Sequence, residues 1–489
     1  MKQLLLALLL LAQQPTPILD ALLKEIESLK LPLPPVLSLT VPVPAGANLQ
    51  TVVDAALPGS TLLLEQGATF PVNLRLRTKV GTAPITIRTA GLDDTVLKPG
   101  VRVTPADAGP MAKLTCLDCL LPIVWAEAGA HDYALIGLEV VGSAARTDRT
   151  LVFFGYNPLT DKWATSYAEQ PSNIVLDRVY VHAPIETGGH QGVMLDGTNL
   201  SVVNSTVSGF WEVGRDASAV GCIQAKGPLR IENNYLEASG ENLMCGGSDP
   251  VIPGAIPADI LVTRNHLAKP LLWKDPVWKA AHRGGGDIKN LIEFKNATRV
   301  TVTRNRFENI WVSGQTGHAV QLTPRNQGGL CPWCTVTHVV FGCNEIVNAE
   351  GYAFNLLATD NVRPSGTMAD ITLRDNLVRG AAGGVALSGN VQGLTVTRNV
   401  FLGISNSFLA LFGAPQTALT FTGNFASSSE YGLRGDGTGQ GVAALAVYAP
   451  TAVVTGNTIE TTPARTITYP PGNTTVAPGT VTAASWACP

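Results

Sequence analysis

Alternating apolar and polar residues recur along this chain in short segments that share one pattern. GLTVTRNVFLG begins at Gly393, and near-copies begin at Val300, Ile260 and Ala418. In each copy every second residue is apolar, as in a β-strand that buries one of its two faces. An Asn follows the first alternating segment, and a second segment follows the Asn. The pattern predicts a strand, a tight bend and a further strand, repeated along the chain.

The Asn marks the register of these repeats. Three upstream segments fit the same frame with Leu138, Val179 and Ser205 in its place. The unit from Asn376 to Asn399 has short strands and no segment of helical period, which excludes a βαβ fold. One unit cannot bury its own apolar face but a stack can, so the sequence predicts a solenoid of about eleven parallel-stranded coils. The Asn recurs at intervals of 31, 40, 39, 32, 23, 25 and 33 residues: Asn234, Asn265, Asn305, Asn344, Asn376, Asn399, Asn424 and Asn457.

The repeated Asn has a structural interpretation. We expect it at a tight bend that needs a residue able to adopt the left-handed backbone region. Stacked in register, its side-chain amide can bond to the Asn of the next coil. A residue that recurs in every repeat serves the repeat, so these Asn side chains are not predicted to be catalytic.

The segment LQTVVDAALPGSTLLLEQGATF, which starts at Leu49, resembles the opening of right-handed parallel β-helix proteins of the pectate-lyase-like superfamily. There, an amphipathic helix, Pro-Gly and a strand begin the first coil. With the Asn motifs, the likeness covers about residues 48–465. ENLMCGGSDP, NLIEFKNATRVTVTRN and LTPRNQGGLCPWCTV resemble a group of exported bacterial β-helix proteins without an assigned activity, over about residues 170–380. The resemblance implies an all-β, single-stranded right-handed parallel β-helix capped by a short N-terminal helix, and it brings no mechanism.

The rest of the chain divides around this solenoid. Residues 1–12 read as a cleavable signal peptide, and 13–47 as an amphipathic helix followed by a Pro-rich linker. The β-helix is predicted over 48–469, with an extended tail over 470–489. The helix could pack on its own solenoid or pair with another chain. A secreted or cell-surface protein is therefore expected.

Composition excludes two classes of partner. Only 15% of the residues are charged and the formal net charge is −3, so the chain has no basic footprint for nucleic acid. After the N-terminal segment, no apolar run approaches the 18 or more residues that a membrane span needs.

Eight cysteines, an even number, fit an oxidising compartment. The two CxxC pairs, Cys116 with Cys119 and Cys331 with Cys334, are predicted to be small local disulfides. A redox pair needs a helix N-terminus, whereas CPWC runs into a strand, and several repeats separate the two pairs, which rules out a shared zinc. Cys222 and Cys245 are expected to join adjacent coils. Cys343 and Cys488 remain as the fourth pair.

Long insertions locate the candidate site. The shortest repeat has 23 residues, so the intervals of 40 and 39 residues must carry loops, and loops on a rigid scaffold often carry function. The insertion over 266–289 contains Trp273, Trp278, His282 and Arg283, an aromatic and charged set suited to sugar rings. Alternation in the strands beneath predicts an outward-facing row: Asp196, Glu293, Lys295, Gln321, Arg325 and Asn355.

Two classes of function fit this row. A polysaccharide lyase acting on an acidic polymer would use Lys295 or Arg325 as the base and Glu293 as a ligand of a cation such as Ca²⁺. A glycoside hydrolase needs two carboxylates, and Glu293 could pair with Asp287, Asp196 or Glu241. The alternative is a non-catalytic solenoid that binds glycans, adheres to surfaces or forms filaments or spikes. Signature motifs of polygalacturonases and pectate lyases are absent from the sequence, so no motif chooses between these functions.

Overall fold

The computed structural model describes residues 39–145, 150–359, 362–462 and 465–488. The predicted signal peptide and amphipathic helix, and the self-association that the helix could mediate, lie outside the described residues. The described chain is nearly all β, with long sheets of parallel strands stacked coil upon coil. The parallel β-helix predicted from the sequence is thereby confirmed. Within the described residues, no helix has both the length and the apolar character needed to cross a membrane.

The strands and helices are short and follow each other closely along the chain. The helices are α1 (Leu49–Ala55), α2 (Pro276–Ala281) and α3 (Val442–Tyr448), with 3-10 turns at Pro105–Asp107, Leu271–Lys274 and Ala483–Ser485. The strands, in chain order, are β1 (Thr40–Val43), β2 (Thr61–Leu64), β3 (Thr69–Pro71), β4 (Leu74–Leu76), β5 (Ile85–Thr89), β6 (Ala112–Thr115), β7 (Val124–Ala126), β8 (His131–Ile136), β9 (Leu138–Val141), β10 (Thr150–Phe154), β11 (Tyr156–Asn157), β12 (Lys162–Trp163), β13 (Ser172–Asp177), β14 (Tyr180–His182), β15 (Gln191–Leu195), β16 (Thr198–Val203), β17 (Thr206–Phe210), β18 (Ser218–Cys222), β19 (Leu229–Glu232), β20 (Tyr235–Ala238), β21 (Glu241–Cys245), β22 (Ala258–Thr263), β23 (His266–Ala268), β24 (Ile292–Phe294), β25 (Ala297–Thr303), β26 (Arg306–Ile310), β27 (Val320–Leu322), β28 (Val336–Gly342), β29 (Glu345–Leu357), β30 (Met368–Arg374), β31 (Leu377–Ser388), β32 (Gln392–Thr397), β33 (Val400–Phe412), β34 (Leu419–Thr422), β35 (Phe425–Ala426), β36 (Gly432–Gly435), β37 (Gly439–Gln440), β38 (Val453–Thr455), β39 (Thr458–Glu460) and β40 (Thr474–Val476).

The coils have three faces. The first face is a 14-stranded parallel sheet, and its last eleven strands, from β8 to β38, precede the eleven motif positions one by one. Strands β1, β2 and β5 extend it at the N-terminal end, where the chain carries no Asn motif. The second face runs from β3 through β20, β23 and β26 to β40, and the third from β4 through β21, β24 and β27 to β36. The long strands β29, β31 and β33, with 13, 12 and 13 residues, bend and serve both of these faces.

The predicted Asn ladder lies at the bend between the first and second faces. Asn305 is typical: its Oδ1 accepts from the backbone N and the Nδ2 of Asn265, at 2.9 and 3.0 Å, and its Nδ2 donates to Asn344 Oδ1 at 3.0 Å. The same pattern continues to Asn457 and adds one further member, Asn473, at 2.7 Å from Asn457 Nδ2. The amide side chains therefore hydrogen-bond each coil to the next.

One reason given for the repeated Asn is wrong. The residue in the left-handed region is the one before the Asn, for example Arg304 at φ 55° and Arg398 at φ 53°. The Asn itself is absent from the positive-φ residues of the described chain. Its position is therefore explained by the hydrogen bonds of its side chain and not by tolerance of a strained backbone.

The apolar residues of the strands fill the interior. In β25 the buried residues Val300 and Val302 alternate with partly or fully exposed ones, as the period-2 pattern predicts. At the N-terminal end, α1 buries Leu49 and Val53 against the same core. The Asn48 side chain caps this helix by accepting from Thr51 N at 3.1 Å.

The eight cysteines form the four pairs expected from the sequence: Cys116–Cys119, Cys222–Cys245, Cys331–Cys334 and Cys343–Cys488. The C-terminal tail adds β40 beside β39 and then runs back along the solenoid. Trp486 donates from Nε1 to the Asp375 carbonyl at 2.7 Å, and Cys488 reaches Cys343 beyond it. The tail is thus held by a strand, by a disulfide and by hydrogen bonds that include those from Val481 N to Glu460 and from Trp486 to Asp375.

Candidate functional site

Four neighbouring strands of the third face form the floor of the candidate site. Met244 of β21, Glu293 of β24, Gln321 of β27 and Asn355 of β29 are successive partners across the sheet. Adjacent strands lie about 4.8 Å apart, so these side chains stand in one column. Ile292 and Phe294, on either side of Glu293, are fully buried in the core, as the alternation predicts.

Glu293 and Lys295 form an ion pair on this floor. Glu293 Oε1 lies 3.4 Å from Lys295 Nζ, and its Oε2 accepts from Asn290 Nδ2 at 3.1 Å. The expectation that both charges face open solvent is wrong: the side chains of Lys295 and Glu293 are only 12% and 5% exposed. Two glycines of the neighbouring coil lie against the lysine, and a Cβ on Gly246 would stand 2.9 Å from Lys295 Cβ. The absence of side chains at this GG pair therefore leaves room for the lysine beside it.

Lys295 is held in its charged form. Burial lowers the pKa of Lys295, but the negative charges of Glu293, Glu241 and Asp216 outweigh burial and leave the pKa above its ordinary value. Its Nζ also lies 3.8 Å from the Met244 sulfur. A lysine that stays protonated is a poor general base and a good partner for a negative charge. This argues against the predicted role of Lys295 as the base.

Glu241 is the most unusual group near this ion pair. It begins β21, its side chain is fully buried, and neither carboxylate oxygen has a hydrogen-bond partner among the described residues. Burial, followed by the charge of Glu293, raises the pKa of Glu241 to about 8. The raised pKa favours the protonated carboxyl, which can donate a proton.

Lys269 lies fully buried near the start of β21. Its Nζ donates to four backbone carbonyls: Ala238, Ser239, Gly240 and Asn290, at 2.7, 3.0, 2.6 and 3.1 Å. Burial lowers the pKa of Lys269, while the charges of Glu241 and Glu237 oppose that effect. Four acceptors that cannot donate select the protonated amine. Lys269 thus ties the start of β21 to the chain that leads into β24, and it has no open side for a ligand.

Gln321, Asn355 and Arg325 continue the floor. Asn355 Nδ2 donates to Gln321 Oε1 at 2.7 Å, and Gln321 Nε2 donates to Thr323. Asn355 and Arg325 are partly exposed, whereas Gln321 is buried. The Arg325 backbone N donates to the Lys295 carbonyl at 3.0 Å, which brings Arg325 beside the ion pair. These three residues therefore lie together with Glu293 and Lys295, as the row predicted.

Asp196 does not join this row as a surface residue. Its side chain is completely buried, and its Oδ1 accepts from the backbone N of Ile223 and of Gln224, at 2.8 and 2.7 Å. Burial raises the pKa of Asp196 to about 6 despite these hydrogen bonds. The outward direction predicted from GVMLDG is wrong because the strand ends at Leu195 and the next residue turns inward to hold the following coil.

The 266–289 insertion packs its aromatic residues instead of displaying them. Trp273 and Trp278 are only 3% and 8% exposed and belong to the main hydrophobic cluster. His282 stacks on Trp278 with ring centroids 4.3 Å apart, and the exposed Arg283 lies over the Trp211 ring at 5.7 Å. Neither of the two predicted tryptophans offers an open face to a sugar as folded. The insertion is a packed wall, and its polar edge, His282 and Arg283, is the part that faces outward.

A metal site is not formed by the acidic residues of the floor. Among the described residues, no group of three or more His, Cys, Asp or Glu side chains is arranged to hold a metal ion. Glu293, predicted as a possible ligand of Ca²⁺, already faces Lys295 and Asn290.

Sequence reasoning missed part of this site. The sequence offers Glu241 only as one of three possible partners for Glu293, and its patterns do not single out Asn290 or Lys269. Strand alternation shows which way a side chain points, but not that β21 and β24 bring Glu241 beside Lys295. The signal that could have found Glu241 is its place as the first residue of ENLMC, the strand that aligns with NLIEF.

Known proteins resemble this chain in fold. No protein-family model and no curated protein matches it. Among solved structures, a PL6 family polysaccharide lyase from Pseudopedobacter saltans has 12% identity and a TM-score of 0.50, covering 92% of this chain and 95% of that one. A mannuronic acid specific family 6 lyase from human gut microbiota has 12% identity and a TM-score of 0.48, covering 90% and 91%. The surface adhesin PfbA of Streptococcus pneumoniae has 12% identity and a TM-score of 0.40, covering 87% and 90%. At such identities the first likeness shows the parallel β-helix fold alone.

Proposed function

We propose that this protein is an exported enzyme that cleaves an acidic polysaccharide, with its active site at Glu241, Glu293 and Lys295. The observation that carries the proposal is Glu241, a buried carboxyl without a hydrogen-bond partner among the described residues, beside a fixed Glu–Lys pair. Proteins satisfy nearly all buried polar groups, and perturbed carboxyls in charged clusters concentrate at functional sites. The likeness in fold to a polysaccharide lyase is compatible with this proposal and assigns no residue to it.

A lyase mechanism uses the charges of this site as they stand. Lys295 and Arg325 neutralise the uronate carboxylate of the substrate, which acidifies the proton on the adjacent carbon. A base removes that proton, the electron pair forms a carbon–carbon double bond, and the bond to the leaving sugar oxygen breaks. The leaving oxygen takes a proton from neutral Glu241. Glu293, the carboxyl group that faces Lys295, is the base in this scheme, because a guanidinium stays protonated and cannot accept the proton; the role of base predicted for Arg325 is therefore set aside.

Hydrolysis is the second catalytic candidate, and the contrast between the two glutamates favours it. Burial raises the pKa of Glu241, whereas Glu293 faces the ammonium of Lys295. A glycosidase needs two carboxyl groups, one as acid and one as base or nucleophile, and Glu241 and Glu293 would supply them. In this reaction water is consumed and no double bond forms.

Glycan binding without turnover is the candidate from another class. The burial of Glu241 and Glu293 favours it, because a substrate must reach groups that the chain now covers. Partly exposed Asn355 and Arg325 would then contact the glycan, with the ion pair as their support.

Export is part of the proposal. Four disulfides persist only where the environment is oxidising, which agrees with the predicted signal peptide. We propose a secreted or cell-surface protein, with polysaccharide as its partner.

A panel of acidic and neutral polysaccharides separates the three candidates. We expect cleavage of an acidic polymer with ultraviolet absorbance from the new double bond, abolished in Glu241→Gln and in Lys295→Met. New reducing ends without that absorbance would indicate hydrolysis, and binding without either product would indicate a non-catalytic protein. Repeating the assay with Ca²⁺ and with a chelator tests whether cleavage requires the cation. Lys274→Met, which removes an exposed lysine paired with Glu350, is the matched control and should retain wild-type turnover.

A further inference from the structure

A second group of aromatic residues lies on the third face, away from the charged cluster. Strand β10 leads into the hairpin of β11 and β12, which pairs Tyr156 with Trp163. Phe153 stacks on Tyr156 with ring centroids 4.5 Å apart and planes at 16°. The Trp163 ring meets both edge-on, at 5.2 and 5.4 Å. All three rings are partly exposed, unlike the buried Trp273 and Trp278 of the insertion.

The hairpin borders a cavity of about 280 Å³. Its lining combines aromatic and polar side chains, among them Tyr156, Asn157, Lys162, Trp163 and Glu169. A cavity of about 150 Å³ accommodates a benzene ring, so this one has room for a sugar ring with its hydroxyl groups. An aromatic face against the ring and hydrogen-bonding groups at its edge are complementary to the amphipathic faces of a sugar.

The sheet register places this aromatic group in line with the charged cluster. Phe153, Met194, Gly221, Met244 and Glu293 are successive partners across β10, β15, β18, β21 and β24. Four strand steps at the usual spacing separate Phe153 from Glu293 by about 19 Å. The three residues between them carry no charge, and Gly221 has no side chain to rise above the sheet. A linear polymer could follow this column from one group to the other.

We propose that Phe153, Tyr156 and Trp163 form a distal subsite that holds a sugar ring of the same acidic polysaccharide chain that reaches Lys295. The inference rests on the proposed function, and it adds that the ligand is an extended polymer lying across the strands. The exposed Lys162 on the hairpin can meet a carboxylate of the bound sugar. Only oligosaccharides long enough to span both groups would use the subsite.

The test compares Trp163→Ala with Trp486→Ala, which removes another partly exposed tryptophan, on the tail. Oligosaccharides of graded length from polygalacturonate and from alginate are titrated calorimetrically, with dextran as the neutral control. We expect Trp163→Ala to weaken binding of the longest oligomers by up to roughly tenfold, the scale of one aromatic contact. Binding of the shortest oligomers, and all binding by Trp486→Ala, should stay at the wild-type level. Unchanged melting temperatures and circular dichroism verify the fold.

The outcomes distinguish this inference from the proposed function. Equal affinity of Trp163→Ala and wild type at every length would overturn the subsite, even if the polymer is cleaved. If a polyuronate binds but is not cleaved, the proposed enzyme fails, and a length-dependent loss in Trp163→Ala still supports the subsite. If neither polyuronate binds to the wild-type protein, both are overturned.

Discussion

Two groups of buried polar side chains in this molecule differ in whether their hydrogen-bonding atoms have partners. The Asn ladder repeats one residue through coil after coil, and Asn305 has partners for both its oxygen and its nitrogen. The cluster of Glu241, Glu293 and Lys295 occurs once, and the carboxylate oxygens of Glu241 have no hydrogen-bond partner in the described part of the chain.

The difference indicates what each group does. A satisfied and repeated polar group stabilises the solenoid, since its hydrogen bonds replace those lost to water. A unique carboxyl without a partner costs stability, and such a cost is typical of a site that serves chemistry or binding. Removing an amide of the ladder should therefore lower the free energy of unfolding, whereas replacing the carboxyl of Glu241 should raise it.

The largest effect on stability is expected for Asn305→Ala. The substitution leaves the backbone N and Nδ2 of Asn265 and the Val262 carbonyl without their partner. At 1–3 kcal/mol for each buried group, the free energy of unfolding should fall by roughly 5 kcal/mol. Denaturant unfolding measures this loss. Asn473→Ala, at the partly exposed end of the ladder, should cost much less because water can replace the amide. Equal losses in the two variants would contradict the ladder.

The second largest loss of stability is expected for Lys295→Met. It leaves Glu293 buried beside an apolar side chain, and breaking a buried ion pair typically costs 3–5 kcal/mol, so we expect about 4 kcal/mol. Lys274→Met breaks an ion pair in which both side chains are about half exposed and should cost under about 1 kcal/mol. Denaturant midpoints that shift equally in both variants would show that Lys295 is not held as described.

Glu241→Gln should increase stability, in contrast to the preceding substitutions. The folded protein raises the pKa of Glu241 from 4.5 to about 8, so the unfolded chain releases this proton at lower pH than the folded one. Wild-type stability from this group is therefore complete below pH 4.5 and is lost as the pH rises through about 8. The variant has no such loss. Its free energy of unfolding should therefore exceed that of the wild type by an amount that grows from pH 4.5 to about 8 and then stays constant at a few kcal/mol. Unfolding at a series of pH values measures it, and an advantage that shrinks with rising pH would rule out the raised pKa.

The smallest effect on stability is expected for Arg325→Lys. The charge is kept and the side chain is partly exposed, so the free energy of unfolding should change by less than about 1 kcal/mol. The planar guanidinium fork is lost, and with it two-point contact to a carboxylate. Polyuronate affinity should therefore fall while the melting temperature holds. If affinity is unchanged, Arg325 does not contact the ligand.

Much of the fold was predictable because its rules are local. Alternation identified the strands, and the spacing of the Asn positions gave the order of the coils. The pairing of Cys222 with Cys245 followed from their equivalent positions in consecutive repeats. The first coils were harder to count, since β1, β2 and β5 carry no Asn to mark them.

The site was less predictable because the burial of a side chain is not a local property of the sequence. Alternation correctly turned Glu293 and Lys295 away from the core, but it could not show that both side chains are nearly buried. It also could not show that Trp273 and Trp278 pack inward, because an insertion has no period that fixes its direction.

The sequence by itself determined the solenoid, the Asn ladder and the row of polar residues on the third face, because each depends on a repeat of two residues or of one coil. Only the tertiary structure decided which of these residues are buried, which charges meet and which carboxyl has no partner. The physical reason is that burial and pKa depend on everything that packs around a group. For Glu241 those neighbours are Glu293, Lys295 and Lys269, which come from other coils and insertions of unequal length.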